Sequence, residues 1–403
     1  MNLKILQFLA VFVLVASCGK TSNEPIQTCE RQIEIVRSQF VQDKRTALFD
    51  VKAYESGAGI VLKGETIFPE AKTVLFEKLG NSSANFIDSI IALPTDELAG
   101  QHFGIVGISV CNIRSSPKHS AELATQALLG TPLRVYKKQG DFYFVQTPDN
   151  YLGWLDDGGF ALFDKKGYDE WMDSNRAVCI ADYTYAFQFP DETAGKVTDL
   201  IAGNVVKSME QQASFMKIQL PDGRTGFVKT EQFLPYSDWI ASRQATALNI
   251  IHTAQEFMGR PYLWGGTSGK GMDCSGFTKT VFYLNGIQLE RDASLQVHTG
   301  QAIETDTTLK NLIPGDLLFF GNLREDGSER ITHVAIYMGD GKIIHASDRV
   351  KIESLIRGEA NFAEQRLQTL RRAKRIIGSE GKNGIIELKD SPFYAIQKLS
   401  PIH

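Results

Sequence analysis

A cysteine placed at the start of a helix-like run constrains this chain more than any other feature. Residues 272–276 read Met-Asp-Cys-Ser-Gly and follow the glycine-rich tract Tyr-Leu-Trp-Gly-Gly-Thr-Ser-Gly-Lys-Gly at 262–271. Apolar residues then recur at helical spacing, at Phe277, Val281 and Leu284. Asp273 is a good helix cap. The pattern predicts a helix with one buried face and with Cys274 at its N-terminus.

The position of Cys274 favours a reactive thiolate. Unpaired N–H groups and the positive end of the helix dipole stabilise a thiolate, and a nearby imidazolium would lower the thiol pKa further. The ordinary alternative is a buried structural cysteine. A structural cysteine would not require the surrounding Asp-Cys-Ser-Gly or the histidines on later apolar runs, so these features favour a catalytic cysteine.

Two histidines downstream are the candidate partners of this thiol. His333 precedes the apolar run 334–338, which reads as a buried strand and ends at the turn Gly-Asp-Gly. The next strand, 342–345, ends at His345. A tight hairpin brings His333 and His345 onto neighbouring strands. The sequence therefore predicts a nucleophile, a base and an orienting group.

Residues 239–377 resemble the NlpC-type cysteine peptidases, which are papain-like hydrolases of bacterial cell-wall peptides. Four segments carry the resemblance, in the order that the family shows. They are Gly-Arg-Pro-Tyr-Leu-Trp-Gly-Gly at 259–266, Asp-Cys-Ser-Gly-Phe at 273–277, Pro-Gly-Asp-Leu-Leu-Phe-Phe at 314–320, and His-Val-Ala-Ile-Tyr-Met-Gly at 333–339 with His-Ala-Ser at 345–347.

The resemblance assigns roles to individual residues. It implies that Cys274 is the nucleophile, that His333 is the general base and then the acid, and that His345 holds the imidazole in its working tautomer. The backbone N–H of Cys274 would supply one oxyanion donor and the Tyr262 hydroxyl another. Trp264 is expected to form cleft wall or packing.

An internal repeat lies between residues 104 and 236. Eight residues match their counterparts at an offset of 73 without gaps: Leu133, Phe142, Val145, Pro148, Asp149, Gly153, Trp154 and Phe160 fall on Val206, Phe215, Ile218, Pro221, Asp222, Gly226, Phe227 and Phe233. Such agreement indicates duplication of a small all-β unit. The closing Pro-Asp-x-x-x-Gly-Trp-Leu and Pro-Asp-Gly-Arg-Thr-Gly-Phe-Val resemble tandem bacterial SH3-like domains.

The first residues of the sequence predict export. An apolar stretch at 5–16 follows Lys4, is too short to span a bilayer, and ends in Val-Ala-Ser-Cys at 15–18. That ending resembles a bacterial lipoprotein cleavage site, which implies lipidation of Cys18. An ordinary secretory signal is the alternative. We therefore expect an exported, membrane-anchored lipoprotein of the bacterial envelope.

The fold class that follows is multidomain, with an α+β papain-like catalytic domain preceded by two small all-β SH3-like barrels and a small N-terminal α/β module. Within the module, 46–54 reads as a strand and 69–79 as a helix with proline in its first turn. The expected boundaries are 1–17 for the signal peptide, 18–29 for a tether, 30–100 for the module, 101–165 and 176–236 for the barrels, 240–377 for the catalytic domain, and 378–403 for a C-terminal extension.

This order of domains is similar to that of enzymes that cut the bond between γ-D-glutamate and a diamino acid. In those enzymes the first SH3-like barrel closes one end of the active-site cleft, so that substrates need a free N-terminal L-alanine. An ammonium there requires carboxylates. The resemblance implies five substrate-binding candidates: Asp273, Ser275, Asp292, Glu122 and Tyr151. The relatives usually have serine where Ala293 stands, which puts one substrate hydrogen bond in doubt, although Ser294 is adjacent.

The net charge and the residue spacings of the chain limit the kinds of ligand that we expect it to bind. The formal net charge of −4 gives no reason to expect nucleic acid, and the cysteine and histidine spacings do not suggest zinc. We expect no metal or organic cofactor, a monomer, and murein peptides as substrates. A non-catalytic wall-binding lipoprotein remains an alternative, as does a thiol acyltransferase or toxin on the same fold.

Overall fold

The computed structural model describes residues 24–80, 84–305 and 308–394. Within them the chain divides into two compact units. One unit contains 24–40 and 49–91, and the other contains 41–48 together with the residues from 92 onward. The expected signal peptide and Cys18 lie outside the described residues.

The first unit begins with helix α1 (Glu24–Phe40). The sequence placed 24–29 in a tether, but these residues are helical. The physical reason is an apolar stripe at helical spacing, since Cys29, Ile33 and Val36 are all buried. Helix α2 (Pro69–Leu79) confirms the predicted helix, including proline at its first position.

A three-stranded sheet completes this unit. Its strands are β1 (Phe49–Ser56), β2 (Gly59–Thr66) and β3 (Phe86–Ala92), in that order across the sheet. The predicted strand at 46–54 corresponds to β1, whereas β2, which pairs with it antiparallel, was not predicted. Glycines at 59 and 64 interrupt the apolar alternation of β2, so the sequence pattern did not predict this strand.

Two small β domains follow in the second unit. The first β domain contains β4–β10, at Phe103–Val106, Val110–Arg114, Leu123–Leu128, Pro132–Gln139, Phe142–Gln146, Leu152–Asp156 and Phe160–Phe163. Helix α3 (Lys165–Met172) links it to the second β domain. That domain contains β11–β17, at Arg176–Cys179, Tyr183–Phe187, Lys196–Ile201, Val205–Gln212, Phe215–Gln219, Thr225–Lys229 and Phe233–Pro235.

The duplication predicted from the sequence is confirmed strand by strand. Each strand of the second β domain begins 73 residues after its counterpart in the first. The sheet order β10-β4-β7-β8-β9-β5-β6 maps onto β17-β11-β14-β15-β16-β12-β13. The repeated residues keep their places in the two cores, because Leu133 and Val145 are buried in one and Val206 and Ile218 in the other.

The predicted catalytic domain is built on a six-stranded antiparallel sheet. Its helices are α4 (Tyr236–Ser242), α5 (Ala247–Glu256), α6 (Cys274–Leu284), α7 (Ala293–Gln296) and α8 (Glu364–Thr369). Its strands are β18 (Thr267–Ser268), β19 (Gly271–Met272), β20 (Ile287–Gln288), β21 (Gln301–Ile303), β22 (Leu317–Leu323), β23 (Glu329–Gly339), β24 (Lys342–Ala346), β25 (Val350–Ser354), β26 (Leu370–Arg375) and β27 (Ile386–Glu387). The order across the main sheet is β21-β26-β22-β23-β24-β25.

Both faces of this sheet are covered, which explains the continuous apolar run in β23. Val334 and Ile336 pack into the cluster that contains Phe277 of α6. Ala335 and Tyr337, which alternate with them, pack into a second cluster. A strand buried on both faces reads as an unbroken hydrophobic segment.

Helix α6 is more deeply buried than its sequence indicated. The apolar spacing predicted one buried face, but Thr278, Thr280 and Phe282 are buried as well. The hydroxyls make this possible, because Thr278 donates to Ser275 O at 2.9 Å and Thr280 donates to Thr267 O at 3.0 Å. Side chains that satisfy their own hydrogen bonds can be buried at little cost.

The first β domain is attached to the catalytic domain by buried polar contacts. The side-chain carbonyl of Gln126 accepts from the N–H of Thr267 and from the hydroxyl of Ser268, both at 3.0 Å. Lys279 of α6 forms an ion pair with Asp149, which is 3% exposed. These contacts hold the first β domain beside the N-terminal half of α6.

Replacing Lys279 by methionine should lower the Tm of the protein by about 5 °C or more. The substitution leaves Asp149 buried and without its cationic partner. The double variant Asp149→Asn/Lys279→Met removes both charges and should recover most of the loss. Differential scanning calorimetry checks this, and equal Tm values for the single and double variants would contradict the assignment of the cost to an unpaired charge.

Candidate active site

Cys274 is the first residue of α6, and Asp273 caps the helix. The Asp273 carboxylate accepts the N–H of Gly276 at 2.8 Å. The backbone at Gly276 packs so closely on the loop before it that a Cβ would lie 1.9 Å from the carbonyl oxygen of Gly266. Glycine at both positions therefore lets the tract 262–271 approach the turn that carries the thiol.

A buried arginine fixes this turn. Both terminal nitrogens of Arg291 donate to the Asp273 carboxylate, at 3.1 and 2.6 Å, and one of them also donates to Ser275 Oγ at 3.1 Å. Arg291 is 1% exposed. Arg291 also approaches the neighbouring Asp292, but only to 3.9 Å. Asp273 and Ser275, both substrate-binding candidates, are thus engaged in an internal network.

The two histidines lie on the predicted hairpin of β23 and β24. His333 Nε2 is 2.7 Å from His345 Nδ1, and His345 Nε2 is 2.8 Å from a carboxylate oxygen of Glu353 on β25. The turn between the strands is Asp340-Gly341, with positive φ at both residues. Such a turn suits a two-residue hairpin.

This chain of hydrogen bonds selects one tautomer. The Glu353 carboxylate can only accept, so His345 Nε2 carries the proton and His345 Nδ1 accepts. His333 Nε2 must then donate, which leaves the lone pair on His333 Nδ1 for a proton from the thiol. The hydrogen bond to His345, together with Lys351 at 2.9 Å, lowers the pKa of Glu353 to about 2, so the carboxylate stays ionised.

The electrostatics of the thiol differ from the expectation. Burial raises the pKa of Cys274 to about 11, and the Asp273 charge adds to the shift. Backbone N–H groups of Ser275 and Val334 oppose it without reversing it. Burial also lowers the pKa of His333 well below its usual value, so no imidazolium stands beside the thiol. The resting pair is a neutral thiol and a neutral imidazole, and the charges form together on proton transfer.

Tyr262 lies half-buried against the core cluster that contains Cys274. Burial and the neighbouring Cys274 and Asp273 raise the pKa of its phenol. The hydroxyl therefore stays protonated and remains a donor. Its backbone N–H is tied to Asp348 O at 3.0 Å, which anchors the tract beside the hairpin.

Three segments that are far apart in the chain meet at Asp292. Its Oδ2 atom accepts from the Tyr151 hydroxyl of the first β domain at 3.0 Å and from Arg45 Nη1 at 2.7 Å. Arg45 also donates to Ser294 Oγ at 3.0 Å and is paired with Asp43. The Ser294 hydroxyl is therefore taken by Arg45, and Ala293 supplies none. We name Asp43, Arg45, Tyr151 and Asp292 the Asp292 cluster.

Glu122, the remaining candidate from the first β domain, contacts the catalytic domain at Trp264. The indole N–H of Trp264 donates to the Glu122 carboxylate at 2.7 Å, and the Trp264 side chain is 64% exposed. The exposed ring and carboxylate form a rim where the two domains meet.

Sequence reasoning missed two residues of this region. Glu353 carries no motif, although a carboxylate in the strand that pairs with the His345 strand is a usable signal. Arg45 lies in the segment 41–48, and its contact with Asp292 spans 247 residues. A contact of that range leaves no local pattern.

The NlpC/P60 family model matches residues 259–371, and the model of the bacterial dipeptidyl-peptidase SH3 domain matches residues 113–159. A gamma-D-glutamyl-L-lysine dipeptidyl-peptidase of Bacillus cereus (strain ATCC 10987 / NRS 248) is 31% identical over 235 residues, covering 56% of this chain and 67% of that protein. The protein of the same name from Bacillus subtilis (strain 168) is 30% identical over 261 residues, covering 62% and 81%. The chain belongs to the NlpC/P60 family.

A solved structure shares the fold. The crystal structure of an NlpC/P60 family protein from Bacillus cereus ATCC 10987 matches with a TM-score of 0.57 at 23% identity, covering 68% of this chain and 99% of that chain. The fold class is therefore confirmed: SH3-like β domains precede an NlpC/P60 catalytic domain. The protein is a cysteine peptidase.

Among residues 24–80, 84–305 and 308–394, no helix is both long and apolar enough to cross a membrane.

Replacing Glu353 by glutamine should lower kcat by about 10- to 100-fold with little change in KM. A glutamine amide can donate as well as accept, so the tautomer of His345 is no longer selected and His333 loses its fixed proton. Steady-state kinetics check this. The same substitution at exposed Glu359 is the control, and a kcat unchanged by Glu353→Gln would remove Glu353 from the catalytic chain.

Proposed function

We propose that the protein hydrolyses the amide bond between γ-D-glutamate and the diamino acid of murein peptides that carry a free N-terminal L-alanine. The relatives named above are called gamma-D-glutamyl-L-lysine dipeptidyl-peptidases, and the SH3 domain model bears a dipeptidyl-peptidase name. The observation that carries the proposal is the Asp292 cluster, in which the first β domain and the catalytic domain meet around a carboxylate.

The reaction follows from the site. Cys274 passes its proton to His333 Nδ1 and attacks the γ-carbonyl carbon, and the oxyanion is met by the N–H of Cys274 and the Tyr262 hydroxyl. The C–N bond breaks as His333 gives its proton to the departing amine. Water, deprotonated by His333, then opens the thioester and releases L-Ala-γ-D-Glu. His345 and Glu353 stabilise the imidazolium that forms transiently.

The Asp292 cluster retains negative charge for a substrate amine. Arg45 and Asp43 neutralise each other, so the Asp292 carboxylate is held in place without losing its charge. Tyr151 and Arg45 both donate to Oδ2, whereas Oδ1 accepts no hydrogen bond from any residue that the structure describes. The ion pair between Oδ1 and Arg291 is long, at 3.9 Å. Glu122 adds a second carboxylate at the rim where the domains meet. An ammonium is the ligand that such a group would bind.

The test compares L-Ala-γ-D-Glu-L-Lys, or its meso-diaminopimelate form, with the same peptide N-acetylated. The unmodified protein should release L-Ala-γ-D-Glu from the free-amine peptide only, and Cys274→Ala should be inactive. Asp292→Asn should raise KM for the free-amine peptide about tenfold or more, because a charged hydrogen bond is lost.

Asp238→Asn, at an exposed position on α4, is the matched control for loss of one negative charge. Mass spectrometry identifies the products. Equal cleavage of free and acetylated peptides would discard the amine requirement while keeping the peptidase. Cleavage of neither peptide would reject the proposed substrate.

We further propose that the protein acts in the bacterial envelope, anchored through a lipid on Cys18. The support is the sequence Val-Ala-Ser-Cys after an apolar stretch. Intact mass spectrometry of the protein from its native host should show a chain that begins at Cys18 and carries acyl groups. Cys18→Ala should abolish the added mass, and a mature chain that begins elsewhere would contradict the anchor.

A further inference from the structure

Arg366 of α8 lies beside the catalytic histidines. Its Nη2 atom is 3.4 Å from Ser347 Oγ, and Ser347 directly follows the strand that ends after His345. Its guanidinium carbon is 5.8 Å from the ring centre of Phe320, and that ring is 5.8 Å from the imidazole of His333. The sequence offered no role for this arginine.

The charge of Arg366 is uncompensated within the described part of the chain. Its side chain is half-buried, yet the weak contact with Ser347 is its one hydrogen bond there, and it forms no ion pair. The acid that its field reaches, Glu353, already binds His345 and Lys351. Arg291 and Arg45, by contrast, each contact aspartate within 2.7 Å. A partly buried cation without a counter-charge is suited to binding an anion.

The field of Arg366 acts on the reacting groups. Burial is the main cause of the lowered pKa of His333 and of His345, and Arg366 lowers both further. Burial raises the pKa of the Tyr262 phenol, and Arg366 opposes that rise. Its interaction with the Cys274 thiol is likewise favourable to an anion at sulfur. The cation therefore stands near the groups on which charge develops during the reaction.

The proposed substrate brings carboxylates to this place. In a γ-D-glutamyl bond the α-carboxylate lies four bonds from the scissile carbonyl carbon, and the α-carboxylate of the diamino acid lies three bonds away on the other side. A carboxylate so near the thiolate repels it unless a cation intervenes. An ordinary α-peptide bond has no such group on the acyl side, because there the α-carboxyl is itself the scissile carbonyl.

We propose that Arg366 is a specificity-determining residue that binds a substrate carboxylate flanking the scissile amide. This inference rests on the proposed function, since it presupposes a γ-glutamyl substrate. The guanidinium can pair with a carboxylate through two parallel hydrogen bonds, which a lysine cannot reproduce. Arg366 would then select γ-linked, acidic peptides by charge as well as shape.

The kinetic experiment uses three peptides: L-Ala-γ-D-Glu-L-Lys, its α-carboxamide form at D-glutamate, and its C-terminal amide. With Arg366 present, the peptide that lacks the bound carboxylate should show a kcat/KM about 10- to 100-fold lower. Arg366→Gln should abolish that discrimination, and Arg366→Lys should restore part of it. The amide that is hydrolysed with the lower kcat/KM shows which of the two carboxylates Arg366 binds.

Arg357→Gln is the matched control, since Arg357 is exposed and pairs with Glu364 at the start of the same helix. It should leave the discrimination unchanged. A purely electrostatic or structural role predicts a different result. Arg366→Gln would then lower kcat/KM equally for all three peptides, with the acid limb moved to higher pH because the pKa of His333 rises. That outcome, or no effect at all, would overturn the inference.

A binding measurement separates this inference from the proposed function. Calorimetric titration of Cys274→Ala protein with the acid peptide and its two amides needs no turnover. Tighter binding of the acid form, lost with Arg366→Gln, supports the pairing even if hydrolysis fails. Equal affinity for all three peptides, or no binding of any, would overturn it.

Discussion

The catalytic end of the molecule depends on the buried ion pair between Asp273 and Arg291. The same carboxylate caps α6 at Gly276, and the same guanidinium holds the Ser275 hydroxyl, so the pair fixes the turn on which Cys274 stands. Removing one partner would leave a charge unpaired in the interior, at a cost of about 3–5 kcal/mol. Because Arg291 is committed to Asp273, the neighbouring Asp292 is left to the first β domain.

The charges around the thiol follow from this arrangement. The Asp292 cluster keeps a net negative charge where the two domains meet, and Arg366 keeps a positive one beside the histidines. The thiol and the imidazole between these groups are neutral at rest, because burial disfavours the charged form of each. A substrate with an ammonium at one end and carboxylates near its scissile bond would supply the counter-charges that the resting protein lacks.

Local patterns of the sequence predicted much of the fold and part of the site. The helix that begins at Cys274, the hairpin of His333 and His345, and the duplicated β domains each follow from spacing along a few strands or turns. The contact of Arg45 with Asp292 could not be predicted, because the two residues lie 247 positions apart in the chain. The position of Cys274 at a helix N-terminus predicted a lowered thiol pKa, but burial raises it. Local sequence patterns indicate where a helix begins, but they do not give the depth at which its first residue is buried.

We propose that Cys274 forms a thioester with the acyl half of a γ-D-glutamyl peptide. Rapid mixing with L-Ala-γ-D-Glu-L-Lys, acid quenching and mass spectrometry of the proteolytic fragments measure this directly. The fragment containing Cys274 should gain the mass of one L-Ala-γ-D-Glu acyl group, and Cys274→Ala protein should gain none. Turnover without an adduct on Cys274, or an adduct on another residue, would contradict it.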